Sequence, residues 1–204
     1  MRHRVLVAMA AALLPLTAAT AATAKAPKAA CNLITDRHDD AYLLSTSATT
    51  VALPELDVQS VDLASGARTV VVVMRLGSTK FAAQQLLTGG GTWSVTYHVW
   101  GVVVTLDYTM APGAGGPTFT ATGSISRDGR ASTAVPVTAD VSGTMLRWTM
   151  PRSALTELAK RRGIFSALFA QANAGGLAHD YAPDDGRAAP ATYLDRSASC
   201  VKAA

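Results

Sequence analysis

Residues Thr92 to Met110 read TWSVTYHVWGVVVTLDYTM, and their alternation specifies a β-hairpin without help from any other segment. With Trp100-Gly101 as a two-residue turn, antiparallel pairing sets residues whose numbers sum to 201 opposite one another. Trp93 then faces Tyr108, Val95 faces Leu106, Tyr97 faces Val104 and Val99 faces Val102, all on one side. The other side carries Ser94 with Asp107, Thr96 with Thr105, and His98 with Val103. An apolar side backed by a mostly polar one predicts a hairpin with one face on a core and the other toward water. A one-residue slip would set Trp93 opposite Thr109 and Tyr97 opposite Thr105, so the pattern also selects the register. Tryptophan is a poor residue where a primed turn wants a positive φ, which makes a longer loop the alternative.

Outward from the hairpin the chain reads as short strands separated by turns. Thr49–Leu53, Leu56–Leu63 and Thr69–Leu76 are rich in Val and Leu, and the unbroken apolar run Val70–Met74 predicts a central strand covered on both sides. Phe81–Leu87 reads as a helical turn or crossover before Gly89-Gly90-Gly91. Beyond the hairpin, strands are predicted over Thr118–Ser126, Thr133–Val141 and Thr144–Met150. Pro151–Arg162 predicts a helix, with Pro151 at its first position, Leu155, Leu158 and Ala159 as its apolar stripe, and Gly163 as its stop. Ile164–Asn173 fits a strand or a second helix, of which the strand is preferred, Gly175–Ala191 reads as loop, and Ala191–Leu194 as a last short strand. A strand about every ten residues predicts an all-β, mostly antiparallel sandwich, jelly-roll or immunoglobulin-like, with one short helix.

Residues 1–24 read as an export signal: Arg2 and Arg4, the apolar run Val5–Leu16, then Ala22-Thr23-Ala24 as a small-x-small cleavage site. The apolar run is too short to span a bilayer. Lipoprotein anchoring at Cys31 is the rival, opposed by Lys28 where an aliphatic residue is needed. The expected product is a secreted single domain, residues 25–204, with no membrane span. Without Arg2 and Arg4, 16 basic residues stand against 14 acidic ones, a net charge of +2, so the balance argues against a nucleic-acid partner. Cys31 and Cys200 lie near the two ends of that domain and are expected to pair in an oxidising compartment. A bridge closing so long a loop stabilises by about 5 kcal/mol in the chain-entropy view.

Three patterns carry a resemblance: Cys31–Ala41 (CNLITDRHDDA), the strand pair from Leu56-Asp57-Val58 to Leu76, and the Trp93 hairpin followed by Met150-Pro-Arg-Ser-Ala-Leu155. Together they resemble exported actinobacterial β-sandwich proteins similar to DOMON domains and family-9 carbohydrate-binding modules. The resemblance implies a jelly-roll-like sandwich, sometimes with structural calcium, that binds a sugar or haem. The first motif departs from Asp-x-x-Gly-Asp, with Asp39 where that pattern has a glycine that would ease a tight turn.

Two acidic loops are the candidate metal ligands: Asp36, Asp39 and Asp40 after Cys31, and Asp180, Asp184 and Asp185 before Cys200. If the bridge draws them together, they supply the hard oxygens that calcium prefers; solvated turns account for the same residues. Trp100, at the hairpin tip, is the candidate ligand-binding residue, either an aromatic platform for a glycan or a lid over the sandwich end. Ser94, His98 and Asp107 share a face, but Ser94 and His98 stand roughly 13 Å apart along one strand, too far for a nucleophile and its base. A haem would need an axial pair such as His98 with Met74 or Met110. No zinc spacing, phosphate loop or Gly-x-Ser-x-Gly elbow occurs. The expected function is a non-catalytic binding or interaction module, with a cell-envelope glycan or another envelope protein as partner; a secreted enzyme and a structural protein-binding domain are the alternatives.

Overall fold

The computed structural model describes residues 31–44, 50–80, 89–113, 115–127, 129–160, 162–174, 178–184 and 192–204; residues 1–24, which the sequence predicts to be an export signal, and Phe81–Leu87 and Asp185 lie outside them. In chain order the strands are β1 (Ile34–Thr35), β2 (Tyr42–Leu44), β3 (Thr50–Ala52), β4 (Val58–Ser65), β5 (Thr69–Leu76), β6 (Gly91–Val99) and β7 (Val102–Ala111). They continue as β8 (Thr118–Arg127), β9 (Thr133–Val135), β10 (Thr138–Ser142), β11 (Met145–Pro151), β12 (Ile164–Ala174), β13 (Ala178–Ala182) and β14 (Tyr193–Leu194). One sheet has the order β1-β4-β5-β11-β10; the other has β13-β12-β6-β7-β8-β9, with β14 also on β12; β2 and β3 form a separate ribbon. Every pairing is antiparallel, and the two sheets share one hydrophobic core, as the sequence predicts for a sandwich.

The β6–β7 hairpin has the predicted register, with Trp93 opposite Tyr108 and Tyr97 opposite Val104. Its turn is two residues long: Trp100 and Gly101 both have positive φ, 50° and 75°, the primed geometry that matches the twist of the flanking strands. Trp93, Val95, Tyr97 and Val99 are buried, as are Val104 and Leu106 across from them. Their polar atoms are satisfied inside the core. Trp93 Nε1 donates to the Glu55 carbonyl at 2.8 Å, and the Tyr97 hydroxyl donates to Met150 Sδ at 3.3 Å, linking the two sheets. Strand β5 lies centrally between β4 and β11, and Val70 to Met74 are all buried. The chain's last residues lie across that sheet: Ser199 Oγ donates to the Leu63 carbonyl, Arg147 to the Lys202 carbonyl, and the Thr69 amide to the Ala204 carbonyl. Cys31 and Cys200 are joined, with their Cα atoms 5.2 Å apart.

Three expectations need correction. Pro151–Arg162 is not one helix: Pro151 closes β11, Arg152–Ala154 form a 3-10 turn, and α1 spans only Glu157–Lys160. The buried Arg152 side chain makes a paired contact with Asp195 (2.5 and 2.6 Å) and also donates to Ser65 Oγ and the Leu158 carbonyl, so tertiary contacts hold a folded-back turn. Burial alone would raise the Asp195 carboxyl, but Arg152 and Ser65 overcome it and hold the group below its ordinary range. Thr133–Val141 is two strands in different sheets, broken at Pro136-Val137. The stretch read as loop contains β13, and Ile34–Thr35 and Tyr42–Leu44 add short strands. Ile164–Asn173 is a strand and Tyr193–Leu194 is the last one, both as the sequence predicts.

The hairpin yields a direct check. Tyr97→Ala should cost roughly 3–5 kcal/mol, the range for large-to-small aromatic changes in cores. Thr96→Ala, on the half-exposed side, should cost less than about 1 kcal/mol. Urea unfolding of the two variants measures the difference, and equal losses would contradict the register.

Candidate metal centre

Three separated segments deliver aspartates to one end of the sandwich. The loop after β1 supplies Asp36 and Asp40, the residue before β4 is Asp57, and β13 with its exit supplies Asp180 and Asp184. The Asp36 amide donates to the Gln59 carbonyl at 3.0 Å, tying the first loop to β4. The Val58 amide donates to Asp180 Oδ2 at 2.7 Å, tying β4 to β13. One carboxylate oxygen from each of Asp40, Asp57 and Asp180 lies within 4.8 Å of the others.

The burial makes this arrangement costly by itself. Asp57 and Asp180 are buried, at 1% and 7% exposure. Amides from Asp39 (2.8 Å) and the Gln59 side chain (2.9 Å) donate to Asp57, and the Tyr181 amide (2.8 Å) donates to Asp180, so both carboxylates are fixed in orientation. Asp36 Oδ2 and Asp40 Oδ1 are buried with no N–H or O–H donor among the described residues, and the group beside both side chains is the Asp184 carboxyl. Burial pushes Asp36 up to about 8, helped by the neighbouring Asp184 and Asp180, and pushes Asp180 up to about 7; Asp40 is also raised by burial. Asp184 moves down, because Asp36 hydrogen-bonds to it. Two carboxylates can form that bond only with a proton between them, so the pair is satisfied when Asp36 is protonated and unsatisfied when it is ionised.

The donor set suits a hard cation. Oxygens on a calcium ion at 2.3–2.6 Å can be at most about 4.6–5.2 Å apart, and the trio falls within that span. Asp36, in the same loop as Asp40, adds one further buried oxygen with no N–H or O–H donor among the described residues. Asp36, Asp40 and Asp184, all expected from the sequence, therefore meet here; Asp185 lies outside the described residues. Asp39 contributes differently: its side chain is exposed, and its amide holds Asp57. Its φ of 64° is the left-handed conformation that the glycine of the related motif would supply, and one that aspartate tolerates better than most residues. Asp57 was not among the expected ligands. Its sequence signal is weak: it lies between Leu56 and Val58, but Glu55 and Asp62 flank it in the same stretch.

The other candidates separate. Trp100 is 39% exposed and lies at the far end of β6, with its Nε1 so near Gly163 that an added β-carbon there would sit 3.2 Å away. Ser94 Oγ donates to Asp107 at 2.5 Å, while His98 faces Val103. His98 is on the outer face and Met74 and Met110 are buried in the core, so none of these pairs can bracket a haem. Comparison with family models, with curated proteins and with solved structures finds no match to this chain.

The raised carboxyls fix a pH trend for protein kept in chelator. Asp36 and Asp180 bind protons more tightly folded than unfolded, so their contribution to stability is complete below about pH 4. It is lost as pH rises through about 7 to 8. Asp195 and Glu157, both lowered, act only in the acid range below that window. The melting temperature in chelator should therefore fall between pH 5 and pH 8.5, and Asp36→Asn should flatten the curve.

Proposed function

We propose that this chain is an exported, non-catalytic binding module of the cell envelope, with calcium at its aspartate cluster and a glycan as its ligand. The observation that carries the calcium reading is the convergence of Asp40, Asp57 and Asp180 within 4.8 Å beside buried, unpartnered oxygens of Asp36 and Asp40. A cation would neutralise a cluster that otherwise holds together only by taking up protons. Asp40, Asp57 and Asp180 would form its inner ligands, with Asp36 and Asp184 beside them. Its role would be structural, tying the first loop, β4 and β13 into one unit. Export is supported by the positive, apolar and small-x-small N-terminal segment together with the Cys31–Cys200 bridge. Among the described residues no helix is long and apolar enough to cross a membrane. The glycan reading is supported by the resemblance to DOMON domains and family-9 carbohydrate-binding modules.

One observation favours a second reading, a secreted enzyme: Asp36 and Asp184 are pushed in opposite directions, as in an acid–base carboxyl pair. The cation reading accounts for more of the cluster, because such a pair gives no part to Asp57 and Asp180, which are buried and held by backbone amides.

Calorimetric titration of chelator-treated protein with calcium, and separately with magnesium, tests this. One saturable calcium site is expected, with stabilisation of about 2.7 kcal/mol at a hundredfold excess over Kd. Asp57→Asn and Asp180→Asn should abolish binding, whereas Asp39→Gly should retain it. An identical melting curve in calcium and in chelator would contradict the calcium reading.

A further inference from the structure

The outer face of the larger sheet is the mirror of the core, and its composition is unusual for a merely solvated surface. The registers align residues into rows across five strands, from β8 through β7, β6 and β12 to β13. One row runs Thr120, Thr109, Thr92, Asn173, His179. The next, two residues along, runs Thr122, Asp107, Ser94, Gln171, Tyr181. At about 4.8 Å per strand the rows are roughly 19 Å wide. Neither row contains a lysine, arginine or glutamate, and Asp107, the carboxylate in them, accepts from Ser94 Oγ. Exposed sheet faces ordinarily carry mixed charges for solubility; here, apart from Ser94, which is buried against Asp107, the rows offer hydroxyls and amides able to donate or accept.

A backbone irregularity adds aromatic rings to the same face. Strand β12 shifts register between Ser166 and Phe169, and Ala167 takes a φ of 51°. Without that bulge, the alternation from buried Phe165 would turn Phe169 into the core. With it, Leu168 and Ala170 are buried and Phe169 turns outward. A positive φ at alanine is strained, and its effect is to place a ring on a polar surface. Phe169 stacks on Tyr181, with centroids 5.8 Å apart, and Tyr181 in turn meets His179 at 5.1 Å. The result is an aromatic edge beside a hydrogen-bonding lattice that holds one carboxylate, Asp107.

We infer that this face binds an uncharged polysaccharide, with Phe169 and Tyr181 stacking on sugar rings and the threonine, asparagine and glutamine side chains pairing with sugar hydroxyls. The inference rests on the glycan-binding reading above and assigns its site. Sugar hydroxyls match the mixed donor and acceptor character of the rows, and ring faces match the apolar aromatic surface. Asp107 is the acid of the rows and no lysine or arginine stands in either of them, so the face repels an anionic polymer and admits a neutral one.

Affinity electrophoresis of the mature, disulfide-bonded chain in calcium-containing gels tests the inference. The probes are soluble α-glucan, mannan and galactan, with polygalacturonate as the anionic control. Retardation by at least one neutral polymer, and none by polygalacturonate beyond a protein standard, is expected. Tyr181→Ala and Phe169→Ala should weaken it about tenfold or more. The double variant Thr109→Glu/Thr120→Glu, both at exposed positions, should do the same while remaining folded, with a slightly lowered melting temperature because the two glutamates face each other. Trp100→Ala should bind as the parent does. Retardation lost in Trp100→Ala but kept in the face variants would overturn the site and leave the glycan-binding reading standing. No retardation by any neutral polymer would overturn both. Concentration-dependent dimerisation abolished by the double glutamate variant would also overturn it, by assigning the face to a second copy of this chain.

Discussion

The register of the β6–β7 hairpin is the constraint on which the rest of this structure depends. Because side chains alternate with a period of two, one alignment decides at once which residues fill the core and which form the outer face. Tyr97 reaches Met150 in the opposite sheet, and Trp93 reaches the Glu55 carbonyl, only from the inner side. Trp93 also lies opposite Ala172, which lies opposite Asp180, so the same alignment sets the height at which β13 presents its aspartate. The Glu55 contact fixes the chain just before Asp57. A core contact and a carboxylate cluster are thus two ends of one set of pairings.

The cluster itself illustrates how a fold holds groups that repel. Backbone amides of Asp39, Val58 and Tyr181 and the side-chain amide of Gln59 hold Asp57 and Asp180 in place, but these donors leave oxygens of Asp36 and Asp40 unpaired. Buried carboxylates in that position are stabilised by protons or by a cation, and the two alternatives have opposite responses to rising pH. The bridge between Cys31 and Cys200 is not what closes the cluster. Asn32, beside the bridge, donates to Asp62, whereas the acidic loop is tied at Gln59 and Asp57, several residues away along β4.

How much of this was legible in the sequence follows from which interactions are local. The hairpin was readable because its alternation and its turn lie within one continuous stretch. Strand β5 was readable because an unbroken apolar run has few other fates. A helix over Pro151–Arg162 is what its capping residues and apolar stripe predict locally, whereas Arg152 is held by Asp195, 43 residues further along the chain. Strand β13 was missed because it has only five residues, Ala178–Ala182, and its identity as a strand comes from pairing with β12. In the site, the acidic loops are visible by composition, whereas Asp57 sits among Glu55, Gln59, Ser60 and Asp62 and gains its place in the cluster from the approach of β13. The outward turn of Phe169 had no sequence signal, since a bulge at alanine carries none of the glycine that usually marks one.

The central claim is that the aspartates form a preorganised cation site. A crystal structure of the mature protein grown with calcium tests it most directly. The account predicts a single ion within about 2.3–2.6 Å of oxygens from Asp40, Asp57 and Asp180. Well-ordered carboxylates at these positions, surrounding water or turned apart with no ion between them, would contradict it.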